Sequence, residues 1–118
     1  MSARSSAVAE PALSRLPMTE ATIREALCHV VDPELGINIV DLGLVYRIEI
    51  QDARVRVIMT MTSRACPLGD YLKDLVDSTI RWHVHDVREV HTAFVWEPPW
   101  NPDMMSDEAR RQLGRYER

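Results

Sequence analysis

Residues 44–61 read LVYRIEIQDARVRVIMTM, and this stretch decides the fold. In its first half Leu44, Tyr46, Ile48 and Ile50 fall on one side, with Arg47 and Glu49 on the other. In its second half Val55, Val57, Met59 and Met61 oppose Arg54 and Arg56. Alternation of this kind has the period of a strand, whose successive side chains point to opposite faces. The three residues between the halves, Gln51-Asp52-Ala53, suit a tight turn. The expectation is an antiparallel hairpin with one apolar face, and such a face has to be covered by another layer.

The flanking sequence supplies the cover. Upstream, Thr19 is a good N-cap and Glu20 stands where a helix dipole favours an acid. Ile23, Ala26, Leu27, Val30 and Val31 then recur at helical spacing, with Arg24, Glu25 and His29 off the stripe. Pro33 forbids continuation, so this helix is expected to end near Val31. Asp32-Pro33-Glu34-Leu35-Gly36 reads as a loop, and Ile37 to Leu42 runs on to Gly43. Downstream, Thr62 to Ala65 is a short polar loop that leads into Cys66-Pro67. Proline is favoured at the first helical position, which puts Cys66 at an N-cap. Leu68, Tyr71, Leu72, Leu75, Val76 and Ile80 mark the second amphipathic helix, ending around Trp82.

Val87 to Trp96 is rich in strand formers and reads as a third strand. Pro98-Pro99 keeps the next stretch extended. Ser106 caps a short last helix, with Asp107 and Glu108 in its first turn and Arg110 and Arg111 later. The order helix-strand-strand-helix-strand, plus a short C-terminal helix, predicts an α+β fold. A small mixed three-stranded sheet carries the two main helices on one face. The third strand returns through the second helix, so at least one strand pair is expected to be parallel. Residues 18–118 form one domain, and residues 1–17, rich in Ser, Ala and Arg with Pro11 and Pro17, read as a disordered tail.

Composition narrows the function. The net charge is −4, from 14 basic and 18 acidic residues, which argues against a nucleic-acid partner because phosphate neutralisation needs a basic footprint. No run approaches the roughly 18 apolar residues of a membrane span. With two cysteines, Cys28 and Cys66, and no apolar leader, the chain reads as a free-thiol protein of a reducing compartment, the cytoplasm.

Cys66 is the first residue to single out. Unpaired backbone N–H groups and the dipole at a helix start stabilise a thiolate, the form that attacks electrophiles and binds soft metals, and Arg64 is near in sequence. An inert, buried cysteine is an equally good reading of the position. Asp32, Glu34 and Asp41 are either oxygen ligands bordering the thiol or turn and cap residues, with turn chemistry the more frequent use. Cys28 and His29 are neighbours on a helix and point apart, which is poor chelate geometry. His83, His85 and His91 lack the further ligands of a zinc site and are expected at exposed or edge positions. Trp96 and Trp100 either dock a partner or cover the sheet.

Three segments read together are more specific than any one. They are residues 32–46 (DPELGINIVDLGLVY), 61–70 (MTSRACPLGD) and 95–106 (VWEPPWNPDMMS). In this order they resemble the metal–sulfur cluster biosynthesis family of small SufT-like and PaaD-like proteins, over about residues 18–114. The resemblance implies an iron–sulfur-assembly-type α+β domain and a part in maturing iron–sulfur proteins. It implies that Cys66 is the metal or sulfur ligand, lined by Asp32, Glu34, Asp41 and Thr62, with Pro33 and Gly43 shaping the backbone. The cofactor implied is a labile iron–sulfur cluster or iron. The partners implied are the assembly machinery and client apoproteins. Ala65 stands where such proteins often have Gly, and Met104 where a basic residue is common. No cysteine follows Cys66, unlike the PaaD-like C-terminal extension, so the SufT-like branch fits better.

Three functions compete. A maturation factor would use Cys66 as ligand. Clusters take about four protein ligands, so one copy needs exogenous thiols or a homodimer to complete a site. An adaptor for iron–sulfur clients, or for a multicomponent oxygenase assembly, would leave Cys66 structural. A thiol enzyme needs a base and an orienting group near the nucleophile, and it ranks last because no cysteine-protease or CxxC pattern is present.

Overall fold

Thr19 opens α1 (Glu20–Leu27) with a capping box. Its hydroxyl accepts from Thr22 N–H at 3.2 Å, and the Thr22 hydroxyl accepts from Thr19 N–H at 3.1 Å. Ile23, Ala26 and Leu27 are buried along one face. The computed structural model describes residues 16–64 and 67–117. The helix stops at Leu27, four residues before the expected end at Val31. The N–H groups of Cys28, His29 and Val30 turn back to carbonyls three residues earlier, and the chain then enters a short ribbon. Val30 remains buried at the apolar stripe's end, whereas Val31, expected on the same stripe, is 43% exposed.

That ribbon pairs β1 (Val31–Asp32) with β2 (Ile37–Asn38), so the expected loop is the tip of a small hairpin. Gly36 N–H bonds to the Asp32 carbonyl, and Gly36 has φ +71, a region that costs a residue with a Cβ. The predicted strands follow as β3 (Val45–Gln51) and β4 (Arg54–Met59), antiparallel. Gln51 pairs with Arg54, so the turn has two residues, Asp52 and Ala53, rather than the expected three; Asp52 takes φ +56, which Asp tolerates. A bulge between Val45 and Arg47 adds a residue to β3. Leu44 and Val45 are therefore both buried, and Tyr46, expected on the core face, is displaced from it. In β4, Val55, Val57 and Met59 are almost fully buried, each contributing roughly 1.5–3 kcal/mol by leaving water.

The second long helix, α2 (Gly69–His83), starts later than expected. Its N-cap is Leu68, without a side-chain cap, and the first bond runs from Leu72 N–H to the Leu68 carbonyl. The expected cap residue, Cys66, lies outside the described residues. Leu72, Val76 and Ile80 form the buried row at i, i+4 and i+8, while Tyr71, expected in it, is 51% exposed. β5 (Glu89–Phe94) then pairs with β4 in parallel, giving the sheet order β3-β4-β5. α1 and α2 pack on each other and on the sheet. Most of the expected tail lies outside the described residues. At its inner end Leu16 is tied down, its N–H bonding to the His83 carbonyl beside a parallel bridge to Val84. Ser106 caps α3 (Asp107–Glu117), its Oγ accepting from Ala109 N–H at 3.1 Å.

Where the exit of α1 meets the end of α2, the rings of His29 and His83 stack at 4.4 Å with an 8° interplanar angle. Burial, then the charge of His29, holds the His83 imidazole below the ordinary histidine range. The folded state thus favours the neutral ring. Its contribution is complete above the unfolded pKa, about 6.5, and is lost as pH falls through the lower folded value. The midpoint of thermal unfolding, followed by circular dichroism, should therefore drop between pH 7.5 and 5.5. It should drop less in His83→Gln; equal drops would show that the stack plays no part.

Candidate functional site

The three diagnostic segments, far apart in sequence, meet at one end of the sheet. The first contributes the turn after β2. Leu42 N–H and Gly43 N–H bond back to the carbonyls of Asn38 and Val40, and Gly43 takes φ +81. The third segment lies across that turn as a strap. Trp100 donates its indole N–H to the Leu42 carbonyl at 2.7 Å, and Ser106 N–H bonds to the Asp41 carbonyl at 2.8 Å. Tyr46, in the bulge, donates its hydroxyl to the Pro98 carbonyl at 2.7 Å, which accounts for its displacement from the core face. At Gly43 the strap is so near that a Cβ would lie 2.4 Å from the Met104 carbonyl oxygen.

The second segment enters beside the strap. Thr62, Ser63 and Arg64 line a cleft of about 150 Å³ with Met61, Trp96, Pro99 and Trp100. The Arg64 guanidinium rests over the Trp96 ring, 4.9 Å from its centroid. Trp96 and Trp100, half-buried against the core, therefore do the covering, and Trp100 pins the strap as well. Thr62 is brought to the edge of this cleft.

The acidic residues have separate tasks. Asp32 is 2% exposed and its Oδ1 accepts from the N–H groups of Glu34 and Leu35 at 2.7 and 3.2 Å, closing the tip of the β1–β2 ribbon. Asp41 is bonded twice to Asn38: Asn38 donates its amide N–H to Asp41 Oδ2, and Asp41 N–H donates to Asn38 Oδ1, both at 2.8 Å. Asn38 was not a sequence candidate; the signal for it is an Asn three residues before an Asp in a turn. Glu34 is exposed on the ribbon tip. Among the described residues no three His, Cys, Asp or Glu side chains are placed to hold a metal ion. Cys66, the predicted ligand, lies outside the described residues. Cys28 is an exposed free thiol whose pKa is raised, first by burial and then by the nearby Asp41 and Glu25 carboxylates. That environment favours its neutral thiol over the more reactive thiolate. His83 is half-buried in its stack rather than exposed, whereas His85 and His91 are exposed as expected.

Comparison with known proteins bears on what these segments are. The family model described as "Iron-sulfur cluster assembly protein" matches residues 20–92, well over half of the chain. The chain belongs to that family. A SufT protein of Staphylococcus aureus, named as an Fe-S protein maturation auxiliary factor, is 44% identical over 72% of this chain and 97% of its own length. YitW of Bacillus subtilis, named likewise, is 42% identical over 78% of this chain and 90% of its own. A solved domain of unknown function from Bacillus anthracis shares the fold, with a TM-score of 0.77 and 38% identity over 80% of this chain and 91% of that one. This member of the iron–sulfur cluster assembly family is thus SufT-like, as its three segments imply. The family match ends inside β5, so the strap that completes the site lies beyond it.

Proposed function

We propose that this chain is a non-catalytic auxiliary factor in the maturation of iron–sulfur proteins. In this reading Cys66 takes iron or a labile cluster in transit to client apoproteins. The observation that supports it best is the convergence of the 61–64 segment, the Asp41–Gly43 turn and the strap in a protein of this family. Relatives named as Fe-S protein maturation auxiliary factors support the process. Thiolate is the ligand chemistry that clusters take, and the surroundings of Cys28 favour its neutral thiol. In this reading Asp32 braces the ribbon tip through two backbone N–H groups, and the Asp41 carboxylate orients Asn38. Assembly proteins and apoproteins are the partners, a second copy could complete a shared cluster, and the cytoplasm is the compartment. No helix among the described residues is long and apolar enough to cross a membrane.

Anaerobic reconstitution with iron and sulfide tests the reading. Wild type and Cys28→Ser should develop the charge-transfer absorption of an iron–thiolate species, and Cys66→Ser should not. No chromophore in any variant, with capture of apo-clients unaffected by Cys66→Ser, would make the protein an adaptor.

A further inference from the structure

One edge of the sheet is left open. β5 pairs with β4 along Glu89–Phe94 in unbroken register, and among the described residues no strand lies on its other side. Two bonds fix the direction of its backbone groups: Glu89 N–H goes to the Ala53 carbonyl and Val95 N–H to the Met59 carbonyl. The N–H and C=O of a strand residue share one direction, which alternates along the strand. Val90, Thr92 and Phe94 therefore aim both groups at the open edge. Proteins commonly guard such an edge with lysine, proline or a bulge. Residues 90–94 (VHTAF) carry none of these. Arg81 of α2 caps the entry to the edge, donating to the Arg88 carbonyl at 3.1 Å.

Thr92 stands at the middle of the open stretch. It pairs with Val57, so it shares the covered face of the sheet, and it is 7% exposed. Among the described residues its hydroxyl has no hydrogen-bond partner, an unfavourable state for a buried polar group. Val90 and Phe94 flank it on the same face, each partly buried against the core.

We propose that β5 pairs with β5 of a second copy of this chain, antiparallel and two-fold symmetric about Thr92, joining the two sheets into one. In that register Thr92 lies opposite its own counterpart, and Val90 lies opposite Phe94 of the other copy. The outward N–H and C=O of all three residues are then bonded across the seam. Each Thr92 hydroxyl gains the other as its partner, and β-branched Val90 meets an aromatic ring. Both are favourable cross-strand pairs. A stretch complementary to its own reverse is what a closed two-fold interface requires, and an unrelated extended segment carries no such match. The 61–64 cleft lies toward the Phe94 end of β5. Pairing about Thr92 sets the two clefts at opposite ends of the seam, so this pairing needs no iron.

The test uses the full chain, free of metal and in reductant so that the exposed Cys28 cannot cross-link two copies. Sedimentation equilibrium from micromolar to millimolar concentration should give a monomer–dimer equilibrium. Amide exchange followed by NMR then locates the seam. The N–H signals of Val90, Thr92 and Phe94 should exchange more slowly as concentration rises, whereas those of His91 and Ala93, which face β4, should not change. Thr92→Val keeps the shape and removes the hydroxyl, and it should weaken the dimer about five-fold, the value of one neutral hydrogen bond. Val90→Lys places a guarding charge on the edge and should weaken it about ten-fold or more. Thr92→Pro should abolish pairing while keeping the fold, because the N–H it removes points away from β4. A protein that stays monomeric at millimolar concentration would overturn the proposal. So would a dimer whose Val90, Thr92 and Phe94 amides exchange as in the monomer, or one unmoved by both Thr92→Val and Val90→Lys. Protection of those amides only on addition of an extended peptide from an apo-client would assign the edge to a different protein and overturn it too.

Discussion

Gly43→Ala should destabilise the fold by about 3 kcal/mol or more and detach the strap from the turn beneath it. Two costs add. A residue with a Cβ in the left-handed region at φ +81 loses roughly 1–2 kcal/mol. The new methyl would also sit 2.4 Å from the Met104 carbonyl oxygen and 2.8 Å from its carbonyl carbon, closer than van der Waals contact allows. The obstructing atoms are the carbonyl and Cβ of Met104, so no rotamer change relieves the clash. Either the strap moves out or the turn unwinds, and moving the strap gives up the Trp100–Leu42 and Ser106–Asp41 bonds. The urea midpoint should fall accordingly, and the indole signal of Trp100 should move toward that of an exposed ring. Met104→Ala in the same chain should not rescue it. A Gly43→Ala protein with wild-type midpoint and an unshifted indole would show that the strap does not bear on the turn.

The same contact shows what the sequence could and could not disclose. The β3–β4 hairpin was readable because alternation is local and each alternate position states its face. So were the return through α2 into a parallel β5 and the Ser106 cap of α3. The misplaced features have causes distant in sequence. The bulge that moves Tyr46 is matched to a hydroxyl bond 52 residues away, at Pro98. α1 ends early because residues 31–38 form their own ribbon, which competes with the four further residues of the expected helix. α2 starts late, at Gly69, from an N-cap Leu68 that has no side-chain cap, which the Cys66-Pro67 signal did not foretell. In the site, the residue types were visible and their tasks were not. Aspartate serves a metal and an Asx turn with the same two oxygens, and only the position of neighbouring N–H groups separates them. Arg64 was noted for its nearness to Cys66, and its stacking partner came from a segment more than thirty residues downstream.

Asp32 offers the sharpest separation of those two tasks, because its alanine and asparagine variants should diverge. The carboxylate is buried and its Oδ1 holds two backbone N–H groups. Asp32→Ala removes the acceptor and strands both donors at the ribbon tip. With hydrogen bonds to a charged group contributing about 1.5–3 kcal/mol, the loss should be about 2–3 kcal/mol, some of it recovered by water at the exposed Glu34. Asp32→Asn keeps an oxygen in the Oδ1 position and gives up the charge, so it should retain most of the stability. A residue that ligates iron responds in the opposite way: asparagine is a much poorer ligand than carboxylate, and stability is indifferent to it. Reconstituted iron content in Asp32→Asn, measured beside its urea midpoint, therefore decides the matter. Near-native stability with near-native iron places Asp32 in the turn. Near-native stability with iron lost would return it to the metal, and with it the ligand set that the acidic loop first suggested.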